Sequence, residues 1–111
     1  MSNPLQPKVI KVLEEEYNAF VVKATSTSKA GIMDVLACIP RSYGTIQLGI
    51  FYGFEVKWKT DQPSELQKQK INALTKAGGF GYFIRSVDQL RIILNEGLPS
   101  EYYDISTKLR L

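Results

Sequence analysis

The chain has 111 residues, 44% of them apolar, and 14 Lys and Arg against 11 Asp and Glu give a formal net charge of +3. That length and apolar share suit one compact domain with a proper core, not two domains or a disordered chain. The mild basic excess permits a nucleic-acid partner without demanding one. There is no histidine and one cysteine, which removes Ser-His-Asp and Cys-His catalysis, His-bearing zinc sites, intrachain disulfides and thiolate clusters.

Cys38 lies in the apolar stretch Val35-Leu36-Ala37-Cys38-Ile39 and reads as a small buried residue, not a nucleophile. A reducing cytoplasm fits this cysteine usage. No apolar stretch is long enough to span a bilayer, the N-terminus lacks a signal-peptide pattern, and no internal repeat is present.

Residues 2–6 read as a helix start, with Pro7 acceptable in a first turn. The pattern is then helical over residues 8–20, with Val9, Leu13, Tyr17 and Phe20 on one face, Val12 on its flank and Asn18 loosening its end. Residues 21–25 are a short β-like run. Residues 26–31 form a polar loop ending in Gly31. A largely apolar strand over 32–39 is interrupted by Asp34. Residues 40–44, with Pro40 and Gly44, read as a turn. Residues 45–58 hold one long or bent strand in which Gly49 and Gly53 would mark bulges. At its end Phe54, Val56 and Trp58 alternate with Glu55 and Lys57. Ser64 and Gln67 have the spacing of a capping box for a helix running to about residue 77 and stopped by Gly78-Gly79. A strand over 82–84 follows, then a helix over 87–95 capped by Ser86. The tail from residue 98 has Tyr102, Tyr103, Ile105 and Leu109 but no period, and suits packing on the domain or on a partner. The order α-β-β-β-α-β-α predicts an antiparallel meander whose last strand is placed by a helical crossover.

Three residues stand out. Residues two apart on a strand share a face, so Glu55 and Lys57 project together, and pairing of the two apolar runs would bring Asp34 to them. Two carboxylates and an ammonium at one spot suit a divalent metal and a scissile phosphate. Singly, Asp34 equally suits an end-of-strand acid, and an isolated Glu-x-Lys is more often a solvated strand face. On the helix after Ser64, the wheel puts Leu66, Ala73, Leu74 and Ala77 on one side, with Ile71 at the edge. Gln67 and Lys70 fall inside that stripe, while Lys68, Gln69, Asn72, Thr75 and Lys76 face solvent. Gln67 is then both a cap and a candidate site residue, and Lys70 either reaches the site or snorkels to the rim. In the first helix Glu14, Glu15 and Glu16 are mostly a solvated face. Glu16 alone projects near the apolar stripe, with Gln6 on the same side. Ser26, Ser28, Lys29 and Arg41 lie in loops beside the site and suit DNA phosphates or plain loop polarity. Tyr43, Tyr52 and Trp58 read as core or surface aromatics.

Gly31-Ile32-Met33-Asp34-Val35-Leu36, then Phe54-Glu55-Val56-Lys57, then Pro63-Ser64-Glu65-Leu66-Gln67, then Ala77-Gly78-Gly79 before a strand, together resemble the VRR-NUC family of the PD-(D/E)-x-K nuclease superfamily over about residues 6–95. The resemblance implies a restriction-endonuclease-like α/β core with a mixed central sheet flanked by helices. It implies that Asp34 and Glu55 bind Mg2+ or Mn2+, with the Val56 carbonyl completing the protein ligands. Lys57 would orient or help deprotonate the attacking water and stabilise the phosphorane charge, and Gln67 would support the site. Short stand-alone members of that family, common in phages, resemble Holliday-junction resolvases and act as dimers. Two departures mark this chain. Met33 stands where the family has Pro. The family's early-helix Glu has Gln6 as its counterpart by spacing, with Glu16 too late in the helix.

The expectation is therefore a single nuclease domain over 1–111, with 98–111 a tail and candidate dimer contact. It is a metal-dependent DNA endonuclease, selective for branched DNA, acting as a homodimer with no organic cofactor and no membrane partner. The alternatives are a less selective nickase or flap nuclease, or an inactive DNA-binding module of the same fold. A basic face is expected from Lys23, Lys29, Arg41, Lys59 and Lys70.

Overall fold

The structure, a computed structural model, describes residues 3–24 and 33–103. The elements are α1 (Leu5–Tyr17), β1 (Phe20–Lys23), β2 (Val35–Tyr43), β3 (Ile46–Val56), α2 (Glu65–Lys76), β4 (Phe80–Ile84) and α3 (Val87–Glu96). The strands form one sheet in the order β1-β2-β3-β4. The first three are antiparallel, and β4 joins β3 in parallel after the α2 crossover. A parallel pair needs such a long connection, whereas β2 and β3 need only a tight turn. The expected α/β class, with a mixed sheet flanked by helices, is what the chain adopts.

Strand alternation gives the sheet two faces. On one, Val35, Ala37, Ile39, Phe54, Val56, Tyr82 and Ile84 pack against Leu5, Val9, Val12 and Leu13 of α1 and Leu90, Ile93 and Leu94 of α3. On the other, α2 covers a smaller cluster of Met33, Ile71 and Phe83, with Leu36, Leu74 and Tyr103 around it. Met33, which replaces the proline of the resembled family, thus fills the seam under α2.

Several local expectations are corrected. Helix α1 stops at Tyr17 because Asn18 turns left-handed, at φ 55, so Phe20 opens β1 and is 73% exposed. Strand β2 runs through Pro40 to Tyr43, and the turn is Gly44-Thr45, with Gly44 at φ 63. Pro40 is tolerated because β1 ends opposite Cys38; beyond that point β2 has no neighbour on that side among the described residues to miss an N–H. Gly49 and Gly53 are not bulges, since the β2–β3 register is unbroken from Val35↔Phe54 to Tyr43↔Ile46. Gly53 makes room instead: a Cβ there would run into Met33 and meet Leu74 Cδ2 at 2.9 Å. Cys38 is exposed, lying on the α2 face of the sheet but outside the cluster that α2 covers. Trp58 lies past the end of β3 and is also exposed.

The orientation of α2 differs most. Ile71 and Asn72 are its buried residues, while Leu66, Ala73 and Ala77 are exposed and Thr75 is half-buried. The returning chain explains the difference. Asn72 exchanges two 2.6 Å hydrogen bonds with the Tyr103 main chain. Thr75 Oγ1 donates to the Glu101 carbonyl at 2.7 Å. Glu101 N donates to the Gly81 carbonyl at 3.0 Å, and Gly81 N donates to Ser100 Oγ at 2.8 Å. Residues 98–103 therefore strap α2 to the outer edge of β4, and they supply partners for side chains that the wheel assigns to solvent. Residues 104–111, including Ile105 and Leu109, lie outside the described residues.

Candidate active site

Pairing of Val35 with Phe54 sets the residues one step further out, Asp34 and Glu55, across from each other on the face covered by α2. Asp34 Oδ2 accepts a 2.9 Å hydrogen bond from Val56 N, and the Asp34 carbonyl accepts from Ala24 N at 2.9 Å. Its carboxylate is thus fixed against the last turn of the pleat. Glu55 is 1% exposed. Its Oε1 accepts from Gln67 Nε2 at 3.3 Å, and its Oε2 is buried with no hydrogen-bond partner among the described residues. Burial, and then the negative charge of Asp34, push the Glu55 carboxyl up to about 8, with Lys57 only partly offsetting them. Lys57 continues the pairing with β4, its N–H donating to the Ile84 carbonyl at 2.8 Å, and its side chain is half-buried.

Gln67 does two jobs at once. Its Oε1 accepts from Ser64 N at 2.9 Å while its own N–H donates to Ser64 Oγ at 3.1 Å, a complete capping box. The same amide group has its Nε2 left to reach Glu55. The structure therefore brings Asp34, Glu55, Val56, Lys57 and Gln67 together where β3 ends and α2 begins.

The other candidates are placed elsewhere. Glu16 forms a two-pronged contact with Arg91 of α3, at 2.9 and 2.7 Å, so it pins two helices together. Arg41 donates to the Leu94 carbonyl at 3.0 Å, on the α1–α3 face and about 23 Å along β2 from Asp34 at strand rise. Lys70 is exposed, as are Lys23 and Lys59. Ser26, Ser28 and Lys29 lie outside the described residues. Gln6 is half-buried, and its N–H donates to Asn3 Oδ1 at 3.3 Å.

Two further residues belong to this corner. Asn3 caps α1 through Oδ1, which accepts from Leu5 N at 3.0 Å, and its Nδ2 donates to the Val56 carbonyl at 3.0 Å. The carbonyl expected to face a cation is thus also held by the first helix. Its signal was an Asn ahead of a helical run, a cap type; nothing local points to a partner 53 residues away. Arg85, just past β4, donates to the Lys59 carbonyl at 3.2 Å, adding a cation at the carboxyl ends of the parallel strands.

The donor set can be tested against a metal. A buried carboxyl oxygen without a partner is costly, and a cation shared by Glu55 and Asp34 would relieve both that cost and their mutual repulsion. Hard oxygen ligands suit Mg2+ or Mn2+, with water filling the remaining positions. Among the described residues no group of three or more His, Cys, Asp or Glu is assembled, so the fit is to a two-carboxylate site.

Compared with solved structures, the chain matches one described as "VRR_NUC domain" with a TM-score of 0.63 and 22% identity, covering 83% of this chain and 92% of that one. It also matches the MspJI restriction endonuclease in complex with a 27-mer oligonucleotide at a TM-score of 0.48 and 17% identity, over 88% of this chain and 24% of that one. No family model and no curated protein matches the sequence. With the sheet order, the α2 crossover and the paired acids already in place, the chain has the restriction-endonuclease-like α/β fold of a VRR_NUC domain.

Proposed function

We propose that this chain is a metal-dependent endodeoxyribonuclease that hydrolyses phosphodiester bonds at the Asp34–Glu55–Lys57 corner. The observation that carries the reading is the buried Glu55 Oε2, which has no hydrogen-bond partner among the described residues and faces the same side of the sheet as Asp34. When bound there, a divalent cation would withdraw charge from the phosphate and lower the pKa of bound water. The chain's own residues do the rest. Val56 N holds Asp34, and Gln67 holds Glu55, so neither carboxylate has to reorganise as charge develops. Lys57 lies on the same face two residues after Glu55, where its ammonium offsets the charge of the phosphate as the water oxygen bonds to phosphorus and the P–O bond to the leaving strand breaks. Lys59 and Arg85 extend the positive charge outward for backbone phosphates. Branched DNA is the proposed substrate and a homodimer the proposed assembly, since a two-fold pair of sites suits paired cuts on a four-way junction.

The test is cleavage of four-way junction, flap and duplex DNA with and without Mn2+. Cleavage is expected only with the metal and best on the junction. Asp34→Ala and Lys57→Ala are each expected to lower the rate about 100-fold or more while junction binding survives. Cleavage persisting in both variants, or absent from the parent with either metal, overturns the enzyme reading; binding without cutting would then mark a DNA-binding module. Equal cutting of all three DNAs overturns junction selectivity alone.

A further inference from the structure

The chain's single tryptophan follows Lys57 directly and stands three residues after Glu55, about 10 Å away at strand rise. It is not a core residue: Trp58 is 37% exposed. A turn follows it, closed by Asp61 N donating to the Trp58 carbonyl at 3.2 Å. Within that turn Lys59 takes a left-handed backbone, at φ 59, where Gly, Asn or Asp is the usual residue. Among the described residues other than glycine, only Asn18 shares that conformation, and Asn18 is the C-cap of α1. Lys59 ends no helix. Its backbone is instead held from another part of the fold, because Arg85 Nη1 donates to the Lys59 carbonyl at 3.2 Å. Arg85 is itself fixed: its N–H donates to Gln89 Oε1 at 2.6 Å, and Gln89 Nε2 donates to the Phe83 carbonyl at 3.1 Å. The end of β4 and the start of α3 thus maintain a turn that local preference opposes. Conformations that are costly and imposed by their surroundings cluster at ligand sites. The turn also sets Lys59 Nζ 5.7 Å from the centre of the Trp58 ring, within cation–π range. Neither Lys59 nor Arg85 forms an ion pair among the described residues, and both are exposed.

We propose that Trp58 is the residue that reads the branch in DNA: its indole stacks on a base that has lost a stacking neighbour, while Lys59 and Arg85 hold the adjoining phosphates. The inference rests on the nuclease reading and names what that site selects in its substrate. Stacking needs a free π-face. In a continuous duplex every base is covered by neighbours on both sides, so an indole finds no place. At a branch point the stack is interrupted and a base face is free to meet an aromatic ring. The surroundings of the ring select this ligand. An apolar protein segment would leave the two unpaired cations without a counterpart, and phosphates alone would leave the indole unused. A nucleotide offers both a flat base and an anion, and base–aromatic stacking works for any base. The short span to Glu55 places the stacked base close to the phosphate that is cut, so cutting is confined to the neighbourhood of the branch.

Because the chain has one tryptophan, its indole emission reports on Trp58 alone. The full chain is titrated in EDTA, where cleavage does not interfere, with an immobile four-way junction and with a continuous duplex of the same arm sequence. Junction binding is expected to quench the emission, and duplex binding to leave it unquenched. Trp58→Ala should lower the preference for junction over duplex, read as a ratio of binding constants, by at least about fivefold. Trp58→Phe, which keeps a stacking face, should retain most of that preference. No quenching by the junction, equal quenching by the duplex, or an unchanged preference in Trp58→Ala overturns the proposal. If Trp58→Ala fails to fold, the titration of the parent decides alone. A chain that is quenched by junctions and never cuts DNA leaves this inference standing and removes the nuclease reading; one that cuts junctions without quenching does the reverse.

Discussion

Strand β3 is two regions in one. Its first half, Ile46 to Phe51, is mostly exposed; its second half, Tyr52 to Val56, is buried throughout. Both halves are mostly apolar, glycine-containing and free of charge until Glu55. What separates them is their neighbours. The second half has β4 beside it, α1 and α3 beneath it and α2 above it, whereas the first half, Ile50 apart, has only β2 beside it among the described residues. Similar strand composition yields a cradle for a buried acid at one end and an open arm at the other. A composition score would not tell them apart.

The contrast is broken most severely in the cradle. Phe54 is 0% exposed and Phe51 is 47% exposed. Phe54→Ala is expected to cost about 3–5 kcal/mol in urea unfolding, and Phe51→Ala under about 1 kcal/mol in dilute protein, where only its partial burial is lost. Equal costs would mean that the arm is packed as tightly as the core.

A second measurement sharpens what the cradle does to its acid. Glu55 has its carboxyl raised from an ordinary 4.5 to about 8, so between those values the metal-free folded chain binds one proton more than the unfolded chain. Unfolding free energy therefore falls as pH rises through that window, and the slope vanishes above about 8. Glu55→Gln should remove the slope. Binding Mn2+ must expel the same proton, so the apparent affinity, followed by calorimetry, should climb up to about tenfold per pH unit below 8 and level off above it. A flat profile would show that Glu55 does not touch the cation.

Gln67 and Ser64 divide capping from site support. Ser64→Ala should cost about 1 kcal/mol of stability and leave Mn2+ affinity unchanged. Gln67→Ala should cost a similar amount and also weaken Mn2+ binding, because Glu55 Oε1 loses its donor. If both variants bind Mn2+ alike, the Gln67–Glu55 contact has no bearing on the cation.

The smallest effect is expected at Asn3. Asn3→Asp keeps the acceptor that caps α1, so stability should stay within about 0.5 kcal/mol. It removes the donor from the Val56 carbonyl and brings another carboxylate to the corner, so Mn2+ affinity should rise a few-fold. Unchanged affinity would confine Asn3 to the helix cap.

Much of this molecule is legible in its sequence. Helical and alternating periods give the element order, and Ser64 with Gln67 gives the capping box. The convergence of Asp34, Glu55 and Lys57 follows from strand parity once two neighbouring runs are paired. Other features are not legible, for reasons of reach. The buried side of α2 departs from its helical wheel because Asn72 and Thr75 find their partners in residues 100–103, a segment with no periodic pattern. Pro40 sits within β2 only because β1 stops short, and Cys38 is exposed only because α2 leaves that part of the sheet uncovered. Phe20 continues the helical stripe by spacing, but the left-handed Asn18 ends the helix before it.

The amino-acid order alone thus determined the local elements and the chemistry on offer, because backbone propensity and side-chain parity act between near neighbours. Tertiary structure alone decided which apolar residues are covered, which carboxyl oxygen is buried without a partner, and that the first helix reaches across to the Val56 carbonyl. Those outcomes depend on where distant segments end against one another, and no short-range period encodes that.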